Sequence, residues 1–303
     1  MNSGRRGPGD LCPPTVPEML IVGCGRSGTT LVYDTLAAHE SFAWISNWTD
    51  RSGRPELAAF HGLFRKTRSG ELAHRRGMPR PSEGYRLWDR ALALTLDTGV
   101  LDETAATPAR TAAATRVADV HRRYGRAPVF LNKNTRNARL LGMFGAMFPD
   151  ALLVHVLRSP LDAISSLVEV SWWPTLPLWT HAGATPREAA ANHEEEVEIA
   201  AGLWCGETTA AREAGARYAD RYLEIRYEDF LANPSAVTDG LLDRMELAPT
   251  PAFARAMDNL RLRQRVDSHR ERLTEREQQL AWERVRVVAD DFSYARTFRS
   301  GGG

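Results

Sequence analysis

A ten-residue run, "IVGCGRSGTT" from Ile21 to Thr30, brings three glycines, an arginine and three hydroxyls together directly behind an apolar stretch. Glycines let backbone N–H groups approach an anion closely. A strand turning into a helix at such a point aims several of them, with the positive end of the helix dipole, at one spot. Gly25, Arg26, Ser27, Gly28, Thr29 and Thr30 are therefore read as a phosphate-binding loop. Arg26 adds a guanidinium suited to bidentate contact, and Ser27, Thr29 and Thr30 add hydroxyl donors. The spacing from Gly23 to Gly28 is that of a nucleotide-hydrolysing phosphate loop, yet Thr29 stands where the lysine should be. Without that lysine ordinary ATP hydrolysis is disfavoured.

Three further segments carry candidate chemistry. In "LLVHVLRSPLDAISSL" (Leu152 to Leu167) an apolar run ends in Arg158, and Ser166 follows eight residues later on a helix. One arginine at the C-terminal edge of a sheet and one hydroxyl a turn or two into the next helix can converge on a phosphate above that edge. Lys133, in "FLNKNTRNARLLGMFGAMFPDA", is one of only two lysines, the other being Lys66, so arginine supplies nearly all of the 39 basic side chains. The fourth segment, "YLEIRYEDFLANPSAVTDGLLDRMEL", carries Arg226 and Tyr227 at a strand-to-helix junction, with Glu228 and Asp229 in the first helical turn.

Together these segments resemble the sulfotransferases that use 3′-phosphoadenosine 5′-phosphosulfate (PAPS) and release adenosine 3′,5′-bisphosphate (PAP). The resemblance is to the tyrosylprotein and carbohydrate types and their bacterial relatives, and it covers most of residues 18 to 247. It implies that the loop from Gly25 to Thr30 holds the 5′-phosphosulfate and that Arg158 and Ser166 grip the 3′-phosphate. Lys133 would contact the transferring group, where a fixed cation stabilises negative charge developing on the leaving oxygen. Arg26 is counted with Lys133 as catalytic, and Arg226 or Tyr227 is placed near the adenine, with core packing the alternative for Tyr227. The C-terminal "VDSHRERLTEREQQLAW" falls where relatives fold a loop over the nucleotide, but it lacks their Gly-x-x-Gly pattern and reads mostly as a solvated helix face.

The pattern fails at the general base. Tyrosylprotein sulfotransferases keep a glutamate eight residues beyond a histidine at the end of the first helix. Here that histidine is His39 and the position is Asn47, whose amide cannot take a proton. Asp50 is the first substitute by proximity, with Glu56 next and His61 as a further alternative. The aromatic loop "SWWPTLPLWT" (Ser171 to Thr180) offers Trp172, Trp173 and Trp179, either to stack on a flat or sugar-like acceptor or to plug the core.

These residues need a frame. Short apolar runs at Met19–Val22, Phe42–Ile45, Val129–Leu131, Ala151–Leu157 and Tyr222–Arg226 read as strands. They alternate with expected helices at about Thr29–Ala38, Ala138–Phe148, Leu161–Val170, Pro186–Ala219, Ser235–Glu246 and Glu275–Ala289. The pattern predicts an α/β, three-layer, P-loop-like fold with a mostly parallel central sheet flanked by helices. One domain over residues 18–298 is expected, with a disordered leader at 1–17, a helical insertion at about 48–125 and a flexible tail at 299–303.

Composition bounds the rest. With 303 residues, 43% hydrophobic and 25% charged, the chain suits one substantial core. A formal charge of +1 gives no reason to expect nucleic acid as a partner, so any anion site must be local. Three scattered cysteines and the charged run "HEEEVEIA" make neither a disulfide framework nor a metal-ligand pattern, and no metal is expected. No apolar run reaches the length of a membrane span or signal core, so a cytoplasmic protein of bacterial composition is expected. The acceptor would be a small molecule, a glycan or a lipid-linked precursor, in a setting such as secondary metabolism. The rival readings are a P-loop kinase of a small metabolite and a non-catalytic module that binds PAPS or PAP.

Overall fold

In the computed structural model, which describes residues 17–68, 77–260, 262 and 267–294, the elements run in a βα alternation interrupted by helical stretches. In chain order they are β1 (Glu18–Val22), α1 (Thr29–Leu36), β2 (Phe42–Trp44), α2 (Asn47–Ser52), α3 (His61–Arg68), α4 (Tyr85–Leu92) and α5 (Pro108–Gly125). Next come β3 (Val129–Lys133), α6 (Leu141–Met147), β4 (Leu152–Leu157), α7 (Pro160–Val168), α8 (Pro186–Ala189) and α9 (His193–Gly215). The chain continues through β5 (Tyr222–Arg226), α10 (Tyr227–Ala232), α11 (Pro234–Arg244), α12 (Pro251–Asp258), α13 (His269–Arg272) and α14 (Glu275–Asp291). The expected leader, but for Pro17, and the expected tail lie outside the described residues.

All five expected strands form one sheet of order β2-β3-β1-β4-β5, and every pairing is parallel. Parallel strands buried on both faces read as continuous apolar runs, which is why they were visible in the sequence. Alternation along β1 divides the core. Met19 and Ile21 join Val32, Leu36 and Phe230 on one face, while Leu20 and Val22 join Trp88, Leu141 and Phe144 on the other. A third cluster, with Ile164, Trp204 and Val285, packs α7, α9 and α14 together.

The register fixes where chemistry can happen. Ile21 lies beside Lys133, Val22 beside His155, and Leu157 beside Arg226. The residues following β1, β3, β4 and β5 therefore leave the sheet at one C-terminal edge, the usual ligand side of an open parallel sheet.

One expected helix is two. Pro186 opens only the single turn of α8, which stops where Ala190 turns extended (φ −108°, ψ 136°). Asn192 then caps α9, its side chain accepting from Glu195 N–H. The Asn-x-x-Glu pattern behind three alanines is a helix start that the alanine-rich context conceals. The 48–125 stretch is helical in pieces and is stitched to the sheet by short extended contacts: Asn47 N–H donates to Arg80 C=O, and Ser82 N–H to Ile45 C=O. Among the described residues no helix is long and apolar enough to cross a membrane.

Candidate active site

The loop after β1 is shaped by two glycines. Gly23 has φ 150°, and a Cβ there would stand 2.4 Å from Val156 O of the neighbouring strand. Gly28, which begins α1, has φ 85°, and a Cβ there would strike the Tyr227 ring at 2.1 Å. Only glycine accepts both the backbone conformation and the close approach. Arg26 itself has φ 69°, the left-handed conformation that a non-glycine residue adopts at a cost. This strained turn lets its side chain reach Ser166, to which Nε donates at 3.0 Å.

Arg158, at the end of β4, closes the same corner. Its Nη1 donates to Arg26 C=O at 2.9 Å, and its guanidinium carbon lies 5.0 Å from the centre of the Tyr227 ring. Burial pulls the Arg158 pKa below its ordinary value, and the nearby Asp162, Tyr227 and Glu228 pull it back upward. Two arginines, a serine and the N–H groups opening α1 thus converge at one end of a cavity of about 1020 Å³. That is the upper end of ordinary ligand pockets, with room for a nucleotide and a second molecule.

Lys133 lines the same cavity. It is 2% exposed, and its Nζ donates to Thr30 Oγ1 at 2.9 Å and to Glu83 Oε1 at 2.7 Å. The other carboxylate oxygen of Glu83 accepts from Thr135 N–H and Oγ1, both at 3.3 Å. Tyr85 and Thr135 share a hydroxyl hydrogen bond of 2.8 Å just behind. Burial pushes the Glu83 pKa up, but the charge and hydrogen bond of Lys133, helped by Tyr85 and Thr135, outweigh it. The carboxyl group ends below its ordinary 4.5 and is ionised at neutral pH.

Of the residues singled out in the sequence, Gly25, Arg26, Gly28, Thr29, Thr30, Lys133, Arg158, Ser166 and Tyr227 all line this cavity. Ser27 is buried and does not; its N–H closes the turn onto Cys24 C=O. The three candidate bases lie elsewhere. Asp50 is spent on the start of α4, where Oδ1 accepts from Leu87 N–H at 2.9 Å. Glu56 is exposed on a 3-10 turn, Pro55–Phe60, away from the cavity lining. His61 is buried and stacked on Trp44 at 3.8 Å, and burial holds its pKa down to about 2.

Glu83, which the sequence reading missed, stands at the cavity instead. Arg80 to Ser82 run beside Ile45 to Asn47, so Glu83 is delivered just past the end of β2 from 36 residues further along the chain. The proline-flanked "PRPSEG" was the available signal, an extended segment ending at a helix start, but nothing in its spacing says which strand it lies against.

The tryptophans separate as well. Trp173 is fully buried and Trp179 donates to Glu207 at 2.9 Å, whereas Trp172 is 45% exposed and faces the cavity. Arg226 lies outside it, donating to the carbonyls of Phe292 and Ser293. Glu228 accepts from Ser159 N–H ahead of α7 and from Tyr294, so it ties three elements together instead of serving α10 alone. Ser268 and His269 donate to Asp162 on α7. Among the described residues no group of three or more His, Cys, Asp or Glu side chains could hold a metal ion.

Comparison with known proteins agrees with this geometry. A model described as "Sulfotransferase family" matches residues 17–251. No curated protein matches by sequence. Among solved structures, sulfotransferase STF9 from Mycobacterium avium is similar at TM-score 0.64 and 17% identity, covering 94% of this chain and 79% of that one. Sulfotransferase STF1 from Mycobacterium tuberculosis H37Rv is similar at TM-score 0.55 and 16% identity, over 89% and 76% of the two chains. A sulfotransferase domain from the curacin biosynthetic pathway follows at TM-score 0.51 and 15% identity, over 93% and 99%.

Proposed function

The chain belongs to the sulfotransferase family, and on that premise we propose that it transfers a sulfuryl group from PAPS to a hydroxyl of a small-molecule acceptor. The observation that carries this reading is the buried Lys133 ion-paired to Glu83 next to Thr30, in one cavity with Arg26, Arg158 and Ser166. A phosphosulfate on the loop, with its far phosphate at Arg158 and Ser166, brings its transferable end toward Lys133. PAPS supplies an activated sulfuryl group whose departure leaves negative charge on a phosphate oxygen.

Each residue then has a task. The N–H groups from Gly25 to Thr30 and the Arg26 guanidinium hold the 5′ end of the donor. Arg158 and Ser166 select the 3′-phosphate, and Tyr227, packed on Gly28, sits beside them. Glu83 takes the proton from the acceptor hydroxyl as its oxygen bonds to sulfur. Lys133 stabilises the charge left on the departing phosphate oxygen, and its salt bridge keeps Glu83 ionised and oriented. No metal enters this scheme.

Calorimetry with PAP against ATP plus magnesium tests the donor. PAP should bind without magnesium; tight ATP binding with none for PAP would sink the reading in favour of a kinase. Transfer of label from PAPS to an alcohol, abolished by Lys133→Ala, separates an enzyme from a module that only binds the nucleotide.

A further inference from the structure

Beyond Glu83 the cavity changes character. Tyr85 and Thr135 lead from it into a recess of about 80 Å³ under the loop that carries Trp172. Leu96, Leu167, Trp172, Leu176, Leu178 and Leu203 supply the apolar part of its wall, and Arg136, Arg139 and Glu207 its charged part. Leu96 and Trp172, 40% and 45% exposed, are apolar surfaces left open to the cavity, although apolar side chains at a functional mouth cost free energy unless something covers them.

The recess also holds an unsatisfied donor edge. Arg136 is 2% exposed. Its Nη1 donates to Asp89 at 2.6 Å and to Thr95 C=O, but Nε and Nη2 have no hydrogen-bond partner among the described residues. The Tyr85 ring, 5.3 Å from the guanidinium carbon, attracts the cation without accepting those hydrogens as an oxygen would. A buried donor without a partner is costly, so a group that enters and accepts from it is strongly preferred over one that cannot. Asp89 and Glu207 already neutralise Arg136 and Arg139, so the recess favours a neutral oxygen over a carboxylate.

Resting on the sulfotransferase reading above, we propose that the acceptor is an apolar-bodied phenol or alcohol with a neutral carbonyl oxygen at its far end. Its hydroxyl meets Glu83, its body lies against Trp172, Leu96 and Leu176, and its carbonyl accepts from Arg136. A polyhydroxylated sugar would strand its hydroxyls on this wall.

Three probes decide it: 4-(4-hydroxyphenyl)-2-butanone, 4-butylphenol and glucose, each measured both for sulfation with PAPS and for binding to the PAP-loaded protein. The ketone should bind about tenfold tighter than the butyl compound, which lacks its oxygen, and glucose least. Trp172→Ala should raise KM about tenfold for both phenols, since it removes apolar contact at an exposed position. Arg136→Lys keeps a cation for Asp89 but loses the planar donor edge, so it should narrow the ratio between ketone and butyl compound toward one. Glucose used or bound as well as the phenols overturns the proposal, as does a ketone preference untouched by Arg136→Lys or a Trp172→Ala enzyme with unchanged KM. These failures leave PAP binding and sulfuryl transfer intact; loss of PAP binding in the unaltered protein would instead sink the sulfotransferase reading.

Discussion

The two ends of the cavity are built in opposite ways. At the glycine-loop end most contributing residues follow a strand of one parallel sheet, Arg26 after β1, Arg158 after β4 and Tyr227 after β5, while Ser166 comes from α7. Chain order and sheet register bring them together. At the Trp172 end the wall comes from two segments outside the sheet, Glu83 to Leu96 and the loop around Trp172, held by side-chain contacts such as Arg136 to Asp89 and Arg139 to Glu207. Arg139 alone fixes this region through Thr98 C=O, Leu96 C=O and Glu207, each at 2.6 Å. The first end follows from the parallel sheet, while the second depends on side-chain contacts between segments outside it.

The sharpest way to test this contrast is Glu83→Gln. It keeps the shape and removes the base, so kcat should fall about 10³-fold, on the order of 4 kcal/mol, with PAP affinity nearly unchanged. A loss confined to PAP binding would move Glu83 to the donor end.

Acid should loosen the helices between β2 and β3. His61, stacked on Trp44, and His121, whose Nε2 meets Thr49 Oγ1, anchor the helices between β2 and β3. Burial depresses both, to about 2 and about 4 from an ordinary 6.5. With folded values below the unfolded one, the unfolded chain binds more protons and stability is lost as pH falls below 6.5. For two groups that is on the order of 3 kcal/mol per pH unit. Hydrogen exchange should rise in α2 to α5 between pH 6 and about 4, and in β4 as well, where burial holds His155 down to about 3. Glu83, ionised to below 4.5, would not set the acid limb of activity, so that limb should coincide with loss of near-ultraviolet circular dichroism. Activity that titrates away in a fully folded protein would break this account.

At the glycine-loop end, Arg158→Ala should weaken PAP about a hundredfold, the scale of a charge-assisted pair in a buried corner, while leaving the KM for the acceptor little changed. The smallest effect is expected from Asp50→Ala. Removing an acceptor for Leu87 N–H at the start of α4 should cost about 1 kcal/mol of stability, read by denaturant unfolding. Its kcat/KM should stay within a few-fold of the unaltered enzyme; a drop as large as that of Glu83→Gln would restore Asp50 as the base.

Much of the fold was legible because most of its strands are short and mainly apolar; β5, with Glu224 and Arg226, is the exception. The Tyr222–Arg226 boundaries agree with the sequence reading outright, and the others shift by a residue or two. The split between α8 and α9 was hidden because alanine-rich helix propensity runs straight through a short break in which Ala190 and Asn192 are extended.

The sequence by itself pointed to the glycine-loop end: Gly23, Arg26 and Gly28 were named from spacing and type, and Lys133, Arg158 and Ser166 from a family resemblance, most of them at or shortly after a strand end whose position the sheet dictates. It could not determine the base. Asp50, Glu56 and His61 were nearer in sequence, but a cap, an exposed turn and a ring stack claim them. Tertiary structure brought Glu83 to Lys133, because an extended segment pairing with the chain after β2 brings together residues whose separation along the sequence carries no record of that contact. The same holds for Trp172 over Trp173 and for the partnerless edge of Arg136: which side chain faces a cavity depends on packing between elements, and local periodicity does not encode it.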